Sequence, residues 1–294
     1  MRQRAIRRSL LYVPGHSEKM IDKALNLNAD SIILDLEDAV SPNEKTAARM
    51  LVKESIQKFK EKKKEIIIRI NDVKTKDGVL DIEAIVEEKP NAIIVPKADE
   101  EAIQVTDILL NATEMRYNVS KKSIEIIPLL ETSYSIVHTY KILDSSHRIT
   151  AVQFGAEDLT KEIGIDRTDK GMEITYARSG IVHAAVAREI DILDTPFTNI
   201  DDNDGLIYDT KNAKQIGFTG KTCIHPNQIE TVNAVFTPDA KEVKKARELI
   251  KVFDEAVNNG SGVCTFEGKM IDNPIAERAR KLVEKADLIS KHNS

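Results

Sequence analysis

Polar side chains stand at or just after the ends of several short apolar runs, where parallel strands would bring them together. They are Glu37 and Asp38, Arg69 and Asn71, Lys97, Glu131, Glu157 and Asp158, and His225. Carboxylates dominate this set, and they would repel each other in one pocket unless a cation lay among them. Oxygen ligands without cysteine and with few histidines favour Mg²⁺, with Mn²⁺ as the alternative, over zinc. The set therefore predicts a divalent metal site.

Two of these carboxylates are the best placed to hold such a metal. Mg²⁺ usually takes one or two protein carboxylates and leaves its other positions to water and substrate. Glu131 and Asp158 follow neighbouring apolar runs, so we predict that these two are the metal ligands. The alternative is that the charges form salt bridges at the rim of the pocket.

Arg69 lies inside the apolar run IIIRIN, where an arginine is costly to bury unless it meets an anion. A guanidinium that makes two parallel hydrogen bonds would hold a substrate carboxylate. An internal ion pair with Glu37 or Asp38 explains the same spacing equally well, and both arrangements could hold at once.

The apolar runs that position these residues are short and nearly continuous, as in parallel strands buried on both faces. They are SLLYV (9–13), SIILDL (31–36), EIIIRI (65–70), AIIVP (92–96), IEIIPLL (124–130), ITAVQF (149–154), DILDTPF (191–197) and KTCIHP (221–226). Their starts recur about every 30 residues, the length of one strand–helix unit. We therefore predict an α/β fold, a (β/α)8 TIM-type barrel over residues 1–236.

Two competing folds lack their sequence signals. An open doubly wound sheet needs a glycine-rich phosphate turn after an early strand, but the first turn, VPGHSEK, has one glycine. GFTGKT (217–222) is not a P-loop, because position 215 is Gln215 rather than glycine and a strand follows the motif.

The recurring strand–helix pattern ends with the barrel. We predict that residues 237–294 form a C-terminal lid extension. Thr237-Pro238 is expected to cap a helix, a hairpin should turn at Glu267-Gly268, and a last helix should cover about 275–289. This segment is too small to fold alone. We expect it to dock on the barrel or on a neighbouring subunit.

Composition excludes several classes of function. The formal net charge is −5 and aromatic residues make up 4% without any tryptophan, which argues against nucleic-acid binding. No apolar stretch approaches the ~18 residues of a membrane span. Cys223 and Cys264 lie far apart without a CxxC partner, so we predict a reducing, cytoplasmic compartment.

Nine stretches, in this order, resemble the citrate lyase beta subunit family, within the wider group of metal-dependent aldolases and malyl-thioester lyases. They are RRSLLYVPG (7–15), LDLEDAV (34–40) with EKTAAR (44–49), RIN (69–71), PLLET (128–132), FGAEDL (154–159), YARS (176–179), DTPFTNIDD (194–202), GFTGK with IHPNQI (217–229) and GKMIDNP (268–274). Each is weak alone, but the ordered set spans nearly the whole chain and is specific.

The resemblance implies a TIM-type barrel that forms a homo-oligomer, a trimer or a hexamer. It implies that Glu131 and Asp158 hold Mg²⁺ and that Arg69 binds the carboxylate of an α-keto acid. The other matching positions imply Glu37 and Asp38 as an acidic pair beside metal-bound water, Asp272 as an acid/base that reaches a neighbouring subunit's site, and Tyr12 and Lys19 as contacts to a pantetheine arm or phosphate.

The implied reaction is reversible carbon–carbon cleavage of a 3-hydroxy-acyl thioester to an α-keto acid and an acetyl thioester. A citryl thioester would yield oxaloacetate, a malyl thioester glyoxylate and a citramalyl thioester pyruvate. PLLET and FGAEDLTKEIG resemble the stand-alone relatives, which would act on coenzyme A rather than on an acyl-carrier protein. If the chain instead works within the citrate lyase complex, its partners would be the α and γ subunits.

Three alternatives remain open at this stage. The chain could be a metal-dependent aldolase for free 4-hydroxy-2-oxo acids, which would not need the GKMIDNP tail. It could be a malyl-thioester hydrolase, in which water takes the place of the enolate. It could also bind a keto acid without catalysis, although Glu131, Asp158, Arg69 and Asp272 together argue against that.

Overall fold

Across residues 5–168 and 170–293, which the structure describes, a computed structural model shows eight parallel strands closed into a barrel. The strands are β1 Ser9–Pro14, β2 Ser31–Asp35, β3 Glu65–Arg69, β4 Ala92–Val95, β5 Glu125–Leu130, β6 Ala151–Phe154, β7 Asp191–Asp194 and β8 Gly220–Cys223. Each strand pairs with the next in sequence, and β8 pairs with β1. The predicted (β/α)8 barrel is confirmed, although β7 and β8 end before the last residues of their apolar runs.

Helices follow the strands and cover the outside of the barrel sheet. They are α1 Glu18–Ala24, α2 Lys45–Glu61, α3 Lys76–Ile85, α4 Glu100–Arg116, α5 Ser133–Val137, α6 Thr139–Asp144, α7 Ala156–Ile163, α8 Thr175–Ala187, α9 Asn203–Ile216 and α10 Gln228–Phe236. Short 3₁₀ turns lie at Pro42–Glu44, Val86–Glu88 and Met172–Ile174. Within the described residues, no helix combines the length and the apolar character that a membrane crossing requires.

Alternate residues of the strands point into the barrel and fill it with apolar side chains. This inner cluster consists of Leu10, Ile33, Ile67, Ala92, Ile94, Ile127, Leu129, Ala151 and Leu193. The next inward position along the strand is Asp35 on β2, Arg69 on β3 and Glu131 just after β5. The polar residues therefore stand directly on the apolar layer, at the carboxyl ends of the strands.

Arg7 links several strands at their amino ends, the opposite end of the barrel from the polar cluster. Its guanidinium donates to Glu65 and to Glu125, each at 2.7 Å, and to the hydroxyl of Thr150 at 3.3 Å. These residues stand at the starts of β3 and β5 and just before β6, so one buried cation joins three strands beneath the apolar layer. Polar residues at this end of such a barrel serve stability.

The described chain divides into two compact units, the larger formed by Arg7–Ala234 and the smaller by residues 235–293 with residues 5–6. The smaller unit contains α11 Ala240–Asn258, a hairpin of β9 Cys264–Phe266 and β10 Lys269–Ile271, and α12 Asn273–Asn293. Its own apolar cluster includes Leu249, Phe253 and Ile271. The hairpin turns at Glu267 and Gly268 as predicted, and both residues have positive φ angles, as a tight two-residue turn requires.

The predicted cap of α11 is wrong by two residues. Asp239, rather than Thr237, precedes the first helical residue, and its carboxylate accepts hydrogen bonds from the N–H groups of Lys241 and Glu242. An aspartate in this position satisfies two of the free N–H groups of the first turn. The last helix is also longer than predicted, because it runs to the end of the described chain.

Candidate active site

Arg69 stands at the centre of the polar cluster, and its main partner is Asp35. Nε and Nη2 of Arg69 donate to the two carboxylate oxygens of Asp35 at 2.7 and 2.6 Å. Nη1 lies 3.1 Å from Oε2 of Glu37 and 3.5 Å from Oδ2 of Asp38. The internal ion pair considered from the sequence is present, but Asp35, which the sequence analysis missed, takes the two parallel hydrogen bonds. Nη1 makes only the longer contacts, to Glu37 and Asp38, so it is the nitrogen of the guanidinium that a substrate carboxylate could best engage.

The loop after β2 fixes Asp35 in this geometry. Its carboxylate also accepts the N–H of Glu37 at 2.9 Å and the N–H of Ala39 at 3.2 Å. Four donors on one carboxylate leave it little freedom to rotate. Asp35 therefore orients Arg69 and, at the same time, shapes the loop that carries Glu37 and Asp38.

Glu37 is a buried carboxyl in an environment that disfavours its charge. Burial, with the nearby charges of Asp38 and Asp35, raises the pKa of Glu37 to about 7, although Arg69 opposes the shift. Oε2 of Glu37 makes no hydrogen bond to the described residues despite lying close to Arg69. A buried carboxyl with a pKa near neutrality and a free oxygen is suited to exchange a proton with a ligand.

Glu131 and Asp158 are the two residues that the sequence predicts as metal ligands. Glu131 is 4% exposed, and its Oε1 accepts the backbone N–H of Lys97 at 2.8 Å. Asp158 lies in the first turn of α7 and is half-buried. Burial, with the charges of Glu37 and Asp158, raises the pKa of Glu131 to about 8, although the hydrogen bond from Lys97 opposes the shift.

These carboxyls suit a divalent cation. Carboxylates repel each other in a buried pocket, so these groups stay protonated until a cation displaces the protons. Mg²⁺ prefers hard oxygen ligands such as carboxylates. No cluster of three or more metal-ligating side chains occurs within residues 5–168 and 170–293. Mg²⁺ usually takes one or two carboxylates from a protein, and Glu131 and Asp158 stay the predicted pair.

The absence of a side chain at Gly155 leaves room for the Glu131 carboxyl. A Cβ at position 155 would lie 2.7 Å from Cβ of Glu131 and 2.9 Å from its Oε2. Only glycine fits between the end of β6 and this carboxyl without displacing it. This requirement could not be predicted from the sequence, because it depends on a contact between two strands.

Gly155→Ala is expected to weaken Mg²⁺ binding by at least about 10-fold, because the added methyl group must displace Glu131. Gly180→Ala is the matched control, since a Cβ at position 180, within α8, meets nothing within 4 Å. That control should bind metal normally and be more stable by about 0.5–1 kcal/mol. Calorimetric Mg²⁺ titration and thermal unfolding measure both effects. Equal metal affinities for the two variants would contradict this view of Gly155.

The other residues predicted at the strand ends have varied surroundings. Nζ of Lys97 is 4.0 Å from Oε1 of Glu37, and its backbone has a positive φ angle of 45°. Asn71 is buried and bonded to Asp81, so its role is structural. Glu157 is exposed and pairs with Arg167. His225 is half-buried, and its Nδ1 accepts the N–H of the residue two positions later at 3.3 Å.

Tyr12 and Lys19, which the resemblance implies as contacts to a pantetheine arm or phosphate, have different surroundings. The hydroxyl of Tyr12 is hydrogen-bonded to Gln153 at 2.8 Å, and its ring packs on the apolar layer with the guanidinium of Arg69 4.9 Å from the ring centre. Tyr12 therefore supports Arg69 from within the barrel, and its contact with a pantetheine arm stays a prediction. Lys19 is exposed in the first turn of α1, which follows the same end of β1.

Asp272 belongs to the smaller unit and caps its last helix. Its Oδ1 accepts the N–H of Ile275 at 3.2 Å, while its backbone oxygen accepts the N–H of Ala276 at 3.0 Å. The side chain is half-buried, and Oδ1 is the oxygen engaged in the cap. Capping is therefore established for this residue, and a catalytic role for it is a proposal.

The fold and site together define a TIM-type barrel protein with a cluster of carboxylates and one arginine at the carboxyl ends of its strands. The family model "HpcH/HpaI aldolase/citrate lyase" matches residues 8–226, nearly the whole barrel. The chain belongs to this family, and the resemblance noted from the sequence is confirmed.

Known proteins of this kind are similar over almost the full length. Citrate lyase subunit beta of Leuconostoc mesenteroides is 35% identical over 98% of this chain and 95% of the relative. A (3S)-malyl-CoA thioesterase of Cereibacter sphaeroides is 34% identical over 96% of this chain and 95% of the relative. The solved structure of the protein CitE from Mycobacterium tuberculosis, in complex with magnesium, acetoacetate and coenzyme A, has a TM-score of 0.76 and 27% identity, and covers 97% of this chain and all of that one.

Proposed function

We propose that this chain is a Mg²⁺-dependent lyase that cleaves a 3-hydroxy-acyl thioester, such as a citryl, malyl or citramalyl thioester, to an α-keto acid and an acetyl thioester. One observation carries the proposal: the buried carboxyl of Glu131 lies among Glu37, Asp158 and Arg69, which affect its pKa. This arrangement suits a hydroxy acid that brings an anionic carboxylate and an ionisable hydroxyl to a metal. The similarity to citrate lyase subunit beta supports it.

The residues of this chain divide the chemistry among them. Nη1 of Arg69 would hold the carboxylate that becomes that of the keto acid, in a direction set by Asp35. Glu37, whose pKa is about 7, would accept the proton of the substrate hydroxyl as the carbon–carbon bond breaks. Mg²⁺, when bound, would polarise the hydroxyl and carboxylate oxygens of the substrate.

The enolate of the acetyl thioester must then receive a proton. We propose Asp272 as the acid, supplied to the barrel of a neighbouring subunit in a homotrimer or hexamer. The resemblance supports this, and the half-buried carboxylate of Asp272 lies at the start of a helix, next to a hairpin in which such a group can be presented. Coenzyme A is the proposed thioester carrier, because the CitE structure holds coenzyme A together with magnesium.

A second candidate is a malyl-thioester hydrolase, which the similarity to the (3S)-malyl-CoA thioesterase favours. The same groups would then act on water at the thioester carbonyl. The two reactions differ in their sulfur product, since hydrolysis releases a free thiol and carbon–carbon cleavage releases an acetyl thioester.

Incubation of the purified protein with citryl-, malyl- and citramalyl-CoA, with and without Mg²⁺, tests these proposals. The lyase should form acetyl-CoA and one keto acid in equal amounts, without free thiol. Free thiol without keto acid would identify the hydrolase. Turnover of a free 4-hydroxy-2-oxo acid alone would identify an aldolase, and turnover of the acyl-carrier-protein thioester alone would place the chain with the α and γ subunits of a citrate lyase complex.

Arg69→Lys is expected to lose about 2–4 kcal/mol of transition-state stabilisation, measured as kcat/KM, because lysine keeps the charge but not the planar group. A lysine could pair with Asp35 but could not at the same time present a second donor toward the substrate in the direction of Nη1. Thermal unfolding should show that the variant is folded. An unchanged kcat/KM would mean that Arg69 is a structural ion pair only.

A further inference from the structure

The helix that carries Asp158 begins without a side-chain cap of its own. The residue before α7 is Gly155, which has no side chain to accept a hydrogen bond from the first turn. Glycine is needed there because any Cβ would collide with Glu131. The first N–H groups of α7 therefore need an acceptor from another part of the chain.

Thr195, which follows β7, supplies that acceptor. Its side-chain oxygen accepts the N–H of Ala156, the first residue of α7, at 3.1 Å. Thr195 is completely buried, so this hydrogen bond is shielded from water. The bond lies two residues before Asp158 and thus fixes the turn from which the Asp158 carboxylate projects.

A buried cluster of charges holds Thr195 in turn. The ammonium of Lys221 donates to the backbone oxygen of Thr195 at 2.7 Å and to Asp194 and Asp209, each at 2.6 Å. Arg178 bridges the same two carboxylates at 2.8 and 2.7 Å. Two cations balance two carboxylates, and each hydrogen of the ammonium has an acceptor. Clusters that are satisfied in this way are rigid, and removal of any member is costly.

We propose that Thr195 is a positioning residue for the metal site, which caps α7 from β7 and thereby sets the place of Asp158. The inference rests on the proposed function, because it requires Asp158 to bind the metal. A merely structural role would have Thr195 stabilise the barrel without affecting the metal.

Thr195→Val removes the hydroxyl at nearly constant size and is expected to weaken Mg²⁺ binding about 10-fold, as loss of an outer contact does. Thr195→Ser keeps the oxygen and should restore wild-type affinity. Thr222→Val is the matched control: this threonine is equally buried, and its hydroxyl donates to the backbone oxygen of Asp194 at 2.9 Å. It should lose stability like Thr195→Val and keep its affinity for Mg²⁺.

Calorimetric titration of the intact protein with Mg²⁺ alone, beside thermal unfolding, separates the outcomes. Weaker binding in Thr195→Val only, with rescue by serine, supports the inference. Equal affinity in Thr195→Val, Thr222→Val and wild type overturns it while the proposed metal site stands. Absence of Mg²⁺ binding by the wild type overturns the proposed function and this inference with it. If the valine variant does not fold, Thr195→Ala gives the same comparison.

Discussion

Glu131→Gln is expected to abolish Mg²⁺-dependent turnover and to weaken Mg²⁺ binding by more than the roughly 10–100-fold that loss of an outer contact costs. Glutamine keeps the shape of the side chain and can still accept the backbone N–H of Lys97, but it has no charge for a cation. Calorimetry and the thioester assay measure the two losses. If protein treated with EDTA turns over as fast as metal-loaded protein, the metal proposal is wrong.

Glu157→Gln is the matched control for this change. Glu157 lies beside Asp158 on the same turn of α7, but its side chain is exposed and paired with Arg167. The same chemical change at that position should leave metal binding and turnover near wild type. A similar loss in both variants would mean that general surface charge, and not Glu131, governs the metal.

The raised pKa of Glu131 adds a pH-dependent test without metal. Its pKa is about 8 in the folded protein against 4.5 for an ordinary glutamate, so the unfolded chain releases this proton first as the pH rises. Stability of the metal-free protein should therefore fall between about pH 4.5 and pH 8, and Glu131→Gln should lack this part of the fall. At pH 8 the variant is expected to be more stable than the parent by thermal unfolding.

Asp272→Asn is expected to fold and bind Mg²⁺ normally yet lose about 10²–10⁴-fold in cleavage rate, the usual contribution of a general acid. Asparagine caps a helix as well as aspartate does, so the hydrogen bond to Ile275 should survive. The control is Asp239→Asn, the same substitution at the cap of α11. Full activity of Asp272→Asn would reduce this residue to a cap.

Mixed oligomers test whether Asp272 serves a neighbouring subunit. Asp272→Asn and Glu131→Gln proteins are each expected to be inactive, but a mixture with verified subunit exchange could contain sites with metal ligands from one chain and the acid from another. Such mixtures should recover part of the activity. Exchanged mixtures without any activity would exclude a site shared between subunits.

The barrel, and the places of Glu131 and Asp158 at the carboxyl ends of its strands, could be predicted from the sequence because the signals are local. Apolar runs that are nearly continuous indicate strands buried on both faces, and a residue at the end of such a run must lie at the mouth. Glu131 and Asp158 satisfy this rule individually. Their placement required no knowledge of which residues meet across the sheet.

The partners of these residues could not be predicted, because they depend on strand register. Asp35 faces Arg69 because these two residues are paired neighbours across β2 and β3. A shift of one residue would turn Asp35 to the other face of the sheet. Tyr12 is different, since it stands two positions after the inward Leu10, and this alternation could have placed it inside the barrel. The contact of Thr195 with Ala156 joins residues far apart in sequence, so no local sequence pattern predicts it.

The filled interior of the barrel constrains the kinetics of the proposed reaction. The apolar layer and the cluster around Arg7 fill the barrel beneath Arg69, so that a ligand cannot leave through the interior of the barrel. In the proposed reaction, a keto acid held at Arg69 would lie against this filled interior, and the thioester product would lie nearer to solvent. The thioester must then depart first and the keto acid last. In steady-state assays of cleavage, the keto acid should inhibit competitively with the substrate, and the acetyl thioester should inhibit non-competitively.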